Sequence, residues 1–293
     1  MSMVKNPYKR NCELAEGDAL PEGIQRIALA VEYNGAAFHG FQSQPAGVNT
    51  VQSALQHALS RVADEPIKLI CAGRTDACVH ATNQIVHFDT LAERKDRAWV
   101  FGTNTHLPQT VVVRWSKQVP GQFHARFSAL KRTYRYIISN SFVRPALMSD
   151  LLTWQRHPLN VEIMRAGAQC LLGEHDFTSF RASQCQAKSP VRSVDRIDIA
   201  RRGELVVVEI QANAFLHHMV RNIMGVLMEI GLGKKPLGWV TQVLEAKNRQ
   251  AAALTAPANG LYLVHVQYDL QFGLPPVNPG PHFLPDPLGG FSE

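Results

Sequence analysis

The sequence predicts an α+β fold: two βαββαβ units of ferredoxin-like or RRM-like type, sharing an extended antiparallel sheet with helices on one face and a ligand-binding cleft on the other. Three observations carry that prediction. The chain has 293 residues, 45% of them hydrophobic, enough for one large core or two medium ones. Apolar runs of period two alternate with runs of period 3.6 in the order βαββαβ, and the order recurs in the second half without obvious sequence identity. Turn residues punctuate these runs, as where Arg202-Gly203 separates two strand-like segments.

Residues 1–23 form a polar, unperiodic lead-in closed by Pro21 and Gly23. The first unit spans 24–130 and carries the candidate carboxylate loop. Its first strand, 26–33, alternates Ile27, Leu29, Val31 and Tyr33. Glycine-rich loop chemistry follows, presenting Phe38, His39, Phe41 and Gln42. A helix is expected over 51–63, capped by Asn49 or Thr50, with Val51, Leu55, Leu59 and Val62 as its apolar stripe. Strands at 67–71 and 84–88 flank a turn, and a helix over 93–103 and a strand through Val111, Val113 and Trp115 complete the unit.

The second unit spans 131–270. Strands are expected at 131–139, 193–200, 204–212 and 262–268, and helices at 161–172, 216–230 and 237–246. The tail, 271–293, contains Pro275, Pro276, Pro279, Pro281, Pro285 and Pro287, and is expected to be extended or disordered rather than core.

Composition narrows the function classes. A net charge of +6 favours an anionic partner, nucleic acid first. No run approaches the ~18 apolar residues of a membrane span, and the start lacks an apolar signal region, so no membrane association and a cytoplasmic location are expected. Five scattered cysteines with no CxxC pair read as free thiols. The phosphate-loop, zinc-protease, serine-hydrolase and dinucleotide motifs are missing, so no cofactor is expected. His217 and His218 are adjacent without a His or acid four residues on, so no metal is expected either.

Three stretches carry candidate chemistry. In the turn at 72–81, Asp76 stands beside Arg74 between two apolar runs. By spacing alone, Asp76 reads first as a structural loop cap and second as an ionised carboxylate acting as nucleophile or general base, and spacing does not choose between them. Along Lys131-Arg132-Thr133-Tyr134-Arg135-Tyr136, period two puts Arg132, Tyr134 and Tyr136 on one face, mixing cations with stacking rings. The alternative is an edge strand with packed tyrosines and snorkelling arginines. Arg221 lies near the N-terminal end of the long helix, where a cation opposes the helix dipole and needs solvent or an anionic partner; Asp76 is one candidate. Arg126, within Phe123-His124-Ala125-Arg126-Phe127, adds a further basic and aromatic cluster.

The segment GRTDACVHA at 73–81 closely resembles the GRTDAGVHA signature of the tRNA pseudouridine synthase A family. Tyr33-Asn34-Gly35 with Gly40-Phe41-Gln42, and the segments 123–128, 132–136, 176–181 and 217–222, resemble that family at the right separations, so the likeness covers about residues 26–270. The resemblance implies isomerisation of uridine to pseudouridine at positions 38, 39 and 40 of the tRNA anticodon stem-loop, by a homodimer without metal or cofactor. It implies Asp76 as the catalytic aspartate and Arg74 as an RNA-contacting arginine that helps hold the flipped base. It implies Tyr134 as the tyrosine stacked on uracil and Arg221 as the ion-pair partner of the aspartate. Arg126 and Arg132 are further substrate-binding candidates. Two positions depart from the pattern: Cys78 replaces a glycine, and Phe41 an aromatic that is often Trp. If position 78 requires a positive φ, a residue other than glycine costs roughly 1–2 kcal/mol there. The alternatives are a non-catalytic RNA-binding protein on the same fold, and a tRNA glycosidase or nuclease.

Overall fold

The structure, a computed structural model, describes residues 20–45 and 47–284. The expected lead-in as far as residue 19, Cys12, and the tail beyond residue 284 lie outside the described residues.

Within the first half, β1 (Gln25–Tyr33), α1 (Val51–Ala63), β2 (Leu69–Cys71), β3 (His80–Thr90), α2 (Thr103–His106) and β4 (Val111–Val119) follow in order. In the second half come β5 (Lys131–Ser139), β6 (Thr153–Trp154), α3 (Val161–Ala168), β7 (Gly173–Asp176), β8 (Val191–Arg202), β9 (Leu205–Ala212), α4 (Met219–Gly231), α5 (Trp239–Ala246) and β10 (Leu261–Gln267). All the strands join one sheet in the order β4-β1-β3-β10-β5-β9-β8-β7, with β2 also on β3 and β6 on β5. The fold is therefore mixed α+β, with a large sheet and five α-helices among the described residues.

Local chemistry sets the element ends. Thr50 caps α1 through a reciprocal box with Ser53, and Asp64 ends it in the left-handed region at φ 60°. β8 and β9 form a hairpin whose turn Gly203 enters at φ +56°. The helix expected over 93–103 lies three residues later, over 96–106, with a π-helical turn, Ala98–Gly102, leading into α2. This wide turn buries Trp99 edge-on against Phe88, at 5.1 Å between ring centroids, and leaves Arg97 and Phe101 exposed.

Strand alternation decides which face receives the helices. Tyr134, Tyr136 and Ile138 point into the main core with α1 and α4, whereas Ile137 joins Val207, Tyr262, Val264 and Leu284 in a small cluster on the opposite face. On that opposite face Arg135 donates to Glu209 at 2.6 Å, both nearly buried, while Arg196 also reaches Glu209.

Three expectations need correction. The sheet is not wholly antiparallel: β3 and β10 meet in parallel over Tyr262–His80 and Leu263–Ala81, where the two halves join edge to edge, and the short β6 pairs with β5 in parallel. A cavity lined by the loops at 39–44 and 71–76 and by the start of α4 opens on the helix-bearing face, where Tyr134 also points, not on the far side. The centre of the far side is partly covered by residues 274–284. That segment is extended as expected, but the tail contributes to the core: Phe272, in the short helical turn that precedes it, packs on Phe123 at 5.2 Å and Leu284 is buried, while Thr82 and Arg135 donate to the carbonyls of Pro279 and Gly280. Proline stopped the segment from joining the sheet, but its intervening apolar side chains still found apolar surface.

Candidate active site

The turn joining β2 to β3 is clamped from several directions. The Gln84 amide donates to the Gly73 carbonyl at 2.6 Å, and the Tyr33 and Thr75 hydroxyls share a 2.7 Å hydrogen bond. The Phe41 amide donates to the Thr75 carbonyl at 3.0 Å and the Cys78 amide to the Phe38 carbonyl at 3.4 Å. The loop after β1 presses so close that a Cβ on Gly35 would lie 2.0 Å from the Val79 oxygen, and one on Gly40, itself at φ +93°, 2.9 Å from the Thr75 oxygen. Cys78 has φ +63°, so the position does adopt the backbone that favours glycine. These constraints fix where Asp76 points.

Asp76 meets three side chains from around the start of α4. Arg221 Nη1 is 3.1 Å from Oδ2, His218 Nε2 is 3.2 Å from Oδ2, and His217 Nε2 is 3.2 Å from Oδ1. Arg221 is itself aimed by donating Nε to the Ala256 carbonyl at 2.9 Å. His218 occupies the left-handed region at φ 62° at the N-terminus of α4 and makes no capping hydrogen bond there; its ring is spent on Asp76. Burial lowers the His218 pKa from its ordinary value, partly opposed by the Asp76 charge. The carboxylate thus gives the cation expected near the end of the long helix its anionic partner, 145 residues away in sequence.

Tyr134 lines the same cavity. Its ring stands edge-on to Phe215 at 5.0 Å, and its hydroxyl faces Gly73, 3.8 Å from where a Cβ would sit. Burial raises the phenol pKa strongly, and the Asp76 charge pushes the same way, so the phenol stays protonated. Burial likewise pushes the Cys71 thiol up to about 11, partly opposed by Arg74. Arg74 and Arg126 are exposed on the cavity wall, with Arg126 lying 5.4 Å from the centre of the Phe127 ring.

Arg132 is engaged differently. Its Nη atoms donate to the carbonyls of Ala129 and Asn213 at 3.0 Å, Ala72 at 3.1 Å and Arg126 at 2.7 Å. Its guanidinium ties the β4–β5 connection and the end of β9 to the residue that opens the Asp76 turn. Asp76, Arg74, Arg126, Arg132, Tyr134, His217, His218 and Arg221 line a cavity of about 1090 Å³.

The six site residues anticipated from sequence all line this cavity. Sequence reasoning set His217 and His218 aside for want of a nearby acid, and the fold supplies one: Asp76, His217 and His218 bring potential ligand atoms within 4.8 Å of one another. The clamps from Tyr33 and Gln84 were also missed; both sit on strands, where they look like ordinary core positions. The four described cysteines, Cys71, Cys78, Cys170 and Cys185, form no disulfide.

A carboxylate held by a guanidinium in a cavity lined by arginines and aromatics suits an enzyme that handles a nucleic-acid base. The family model described as tRNA pseudouridine synthase matches residues 29–128 and 168–269, more than half of the chain, and the chain belongs to that family of uridine-to-pseudouridine isomerases acting on tRNA. Among its relatives, tRNA pseudouridine synthase A of Pseudomonas aeruginosa is 53% identical over 278 residues, covering 94% of this chain and 98% of that protein. The protein of the same name from Klebsiella pneumoniae (strain 342) is 55% identical over 263 residues, covering 90% and 97%, and that from Legionella pneumophila (strain Corby) 54% over 259, covering 88% and 98%. A chain of the archaeal box H/ACA sRNP Nop10-Cbf5 complex aligns with a TM-score of 0.32 at 11% identity, over 86% of this chain and 58% of that one. Among the described residues, no helix is long and apolar enough to cross a membrane.

Proposed function

We propose that the chain isomerises uridine at positions 38, 39 and 40 of the tRNA anticodon stem-loop, as a cytoplasmic homodimer, with Asp76 as its catalytic carboxylate. The observation that carries the reading is the contact between Asp76 and Arg221 at 3.1 Å, which joins the two halves of the chain at the wall of the cavity. The halves, 24–130 and 131–270, are read as two ferredoxin-like units. Supporting this, each contains the antiparallel strand order fourth-first-third-second: β4-β1-β3-β2 and β10-β5-β9-β8.

The reaction breaks the N-glycosidic bond, turns the uracil while it is held, and rejoins it through carbon, with no net redox change or hydrolysis. One carboxylate suffices: Asp76 attacks the sugar or base as a nucleophile, or takes a sugar proton to give a glycal. Arg221 holds Asp76 in position, and Tyr134 stacks on the uracil. Because burial keeps the Tyr134 phenol protonated, it suits relaying the proton that leaves C5 better than acting as a phenolate base. Arg74 and Arg126 offer their exposed guanidinium groups to RNA, and the phosphate contacts offset the few kcal/mol needed to extrude the base. Arg132 supports RNA binding indirectly, through the carbonyls it holds.

Mapping pseudouridine in tRNA treated with the purified protein tests the reading. New pseudouridine confined to positions 38–40 in tRNA of unchanged mass supports it. Modification elsewhere overturns the assigned positions, and base or strand release overturns the isomerase chemistry.

A further inference from the structure

We propose that Asp76, His217 and His218 together bind a single zinc ion that occupies the carboxylate and reversibly inhibits the enzyme. The inhibitory half rests on Asp76 being catalytic; the binding half does not. Two imidazoles and a carboxylate with an open fourth position form a donor set suited to zinc. The geometry is nearly in place. Donor atoms sharing a tetrahedral zinc at bonds of ~2.0–2.1 Å lie about 3.3 Å apart. His217 Nε2 is 3.2 Å from Oδ1 and His218 Nε2 is 3.2 Å from Oδ2, so whichever oxygen binds the ion already has one imidazole nitrogen at that spacing. Capture needs the two imidazoles to close on each other from within the present 4.8 Å limit and each Nε2 to give up its proton in favour of Nδ1.

A second observation points the same way. His218 adopts a left-handed backbone, costly for a residue with a side chain, without capping α4, and its ring faces Asp76 instead. The His217 and His218 side chains are 40% and 30% exposed, so an ion can reach them from the cavity. Arg221 opposes the ion, since its guanidinium lies 3.1 Å from Oδ2 and must yield as zinc enters. That competition suits a reversible inhibitor better than a resident cofactor, and leaves catalysis itself free of metal.

The test titrates the full-length, untagged chain with Zn²⁺ by calorimetry and with Co²⁺ by absorption, then measures tRNA modification at the same zinc concentrations. One ion per chain is expected, with the visible bands of tetrahedral Co²⁺ and no thiolate charge-transfer band. His217→Ala and His218→Ala should each weaken binding about tenfold, and Arg221→Gln should tighten it about threefold by removing the competing charge. In the unsubstituted chain, modification should fall as zinc binds and return with chelator. The site is overturned by the lack of stoichiometric binding, by a thiolate band, or by binding unchanged in the folded histidine variants. Zinc bound through both histidines while modification continues would overturn the inhibitory half alone and count against Asp76 as the catalytic carboxylate.

Discussion

Replacing Cys78 with glycine should stabilise the protein without harming its activity. Cys78 sits two residues after Asp76 with φ +63°, a conformation that costs a residue with a Cβ roughly 1–2 kcal/mol. Glycine removes that cost but returns about 0.4–1 kcal/mol as extra freedom of the unfolded chain. Its amide can still donate to the Phe38 carbonyl, so the turn keeps its closure. The net gain is about 0.5–1 kcal/mol, or roughly 1–2 °C in Tm for a protein of this size. Reversible urea unfolding of both proteins, with thermal scans and single-turnover tRNA modification, measures it. A Cys78→Gly protein less stable than the parent would show that thiol packing outweighs backbone strain. A stable variant with a much reduced rate would refute the view that Cys78 only tolerates the turn that aims Asp76.

Other perturbations probe the supports around the site. Glu209→Ala should cost about 3–5 kcal/mol, because it strips Arg135 of its carboxylate partner in the core; chemical denaturation checks this, and a loss under 1 kcal/mol would contradict it. Tyr134→Phe should bind tRNA normally but turn over more slowly if the phenol relays a proton, while an unchanged single-turnover rate would leave only the ring a role. Stability should fall as pH drops below about 6.5, the ordinary His value. His80 and His87 are buried with lowered pKa values, their Nδ1 atoms accepting from the Gly35 and Ala125 amides. The unfolded chain therefore takes up their protons first, at up to about 1.4 kcal/mol per pH unit for each group. Stability is fully present above that pH and is lost towards the lower folded-state values; a Tm flat between pH 7.5 and 5.5 would contradict the assignment.

Much of the architecture was legible because it rests on periodicity. The stripe Val51, Leu55, Leu59 and the cap at Thr50 placed α1, and alternation along β5 put Tyr134 and Tyr136 on one face. Less was legible where one residue type serves two purposes. Trp99 drew its segment into a π turn that no repeat announces, and Phe272 and Leu284 packed down from a proline-rich tail because tertiary contact outweighed composition. At the site, the carboxylate could be singled out from its motif, but its environment could not. His217 and His218 have no acid at helical spacing, and Arg132 shows only its charge in the sequence, not the four carbonyls that absorb it.

The most direct test of the central claim substitutes Asp76 with asparagine, which keeps the size of the side chain and removes its charge. The account predicts that Asp76→Asn protein folds, binds tRNA and forms no detectable pseudouridine at positions 38, 39 or 40, where the parent protein does. Pseudouridine formed by the variant at a rate near the parent's would contradict it.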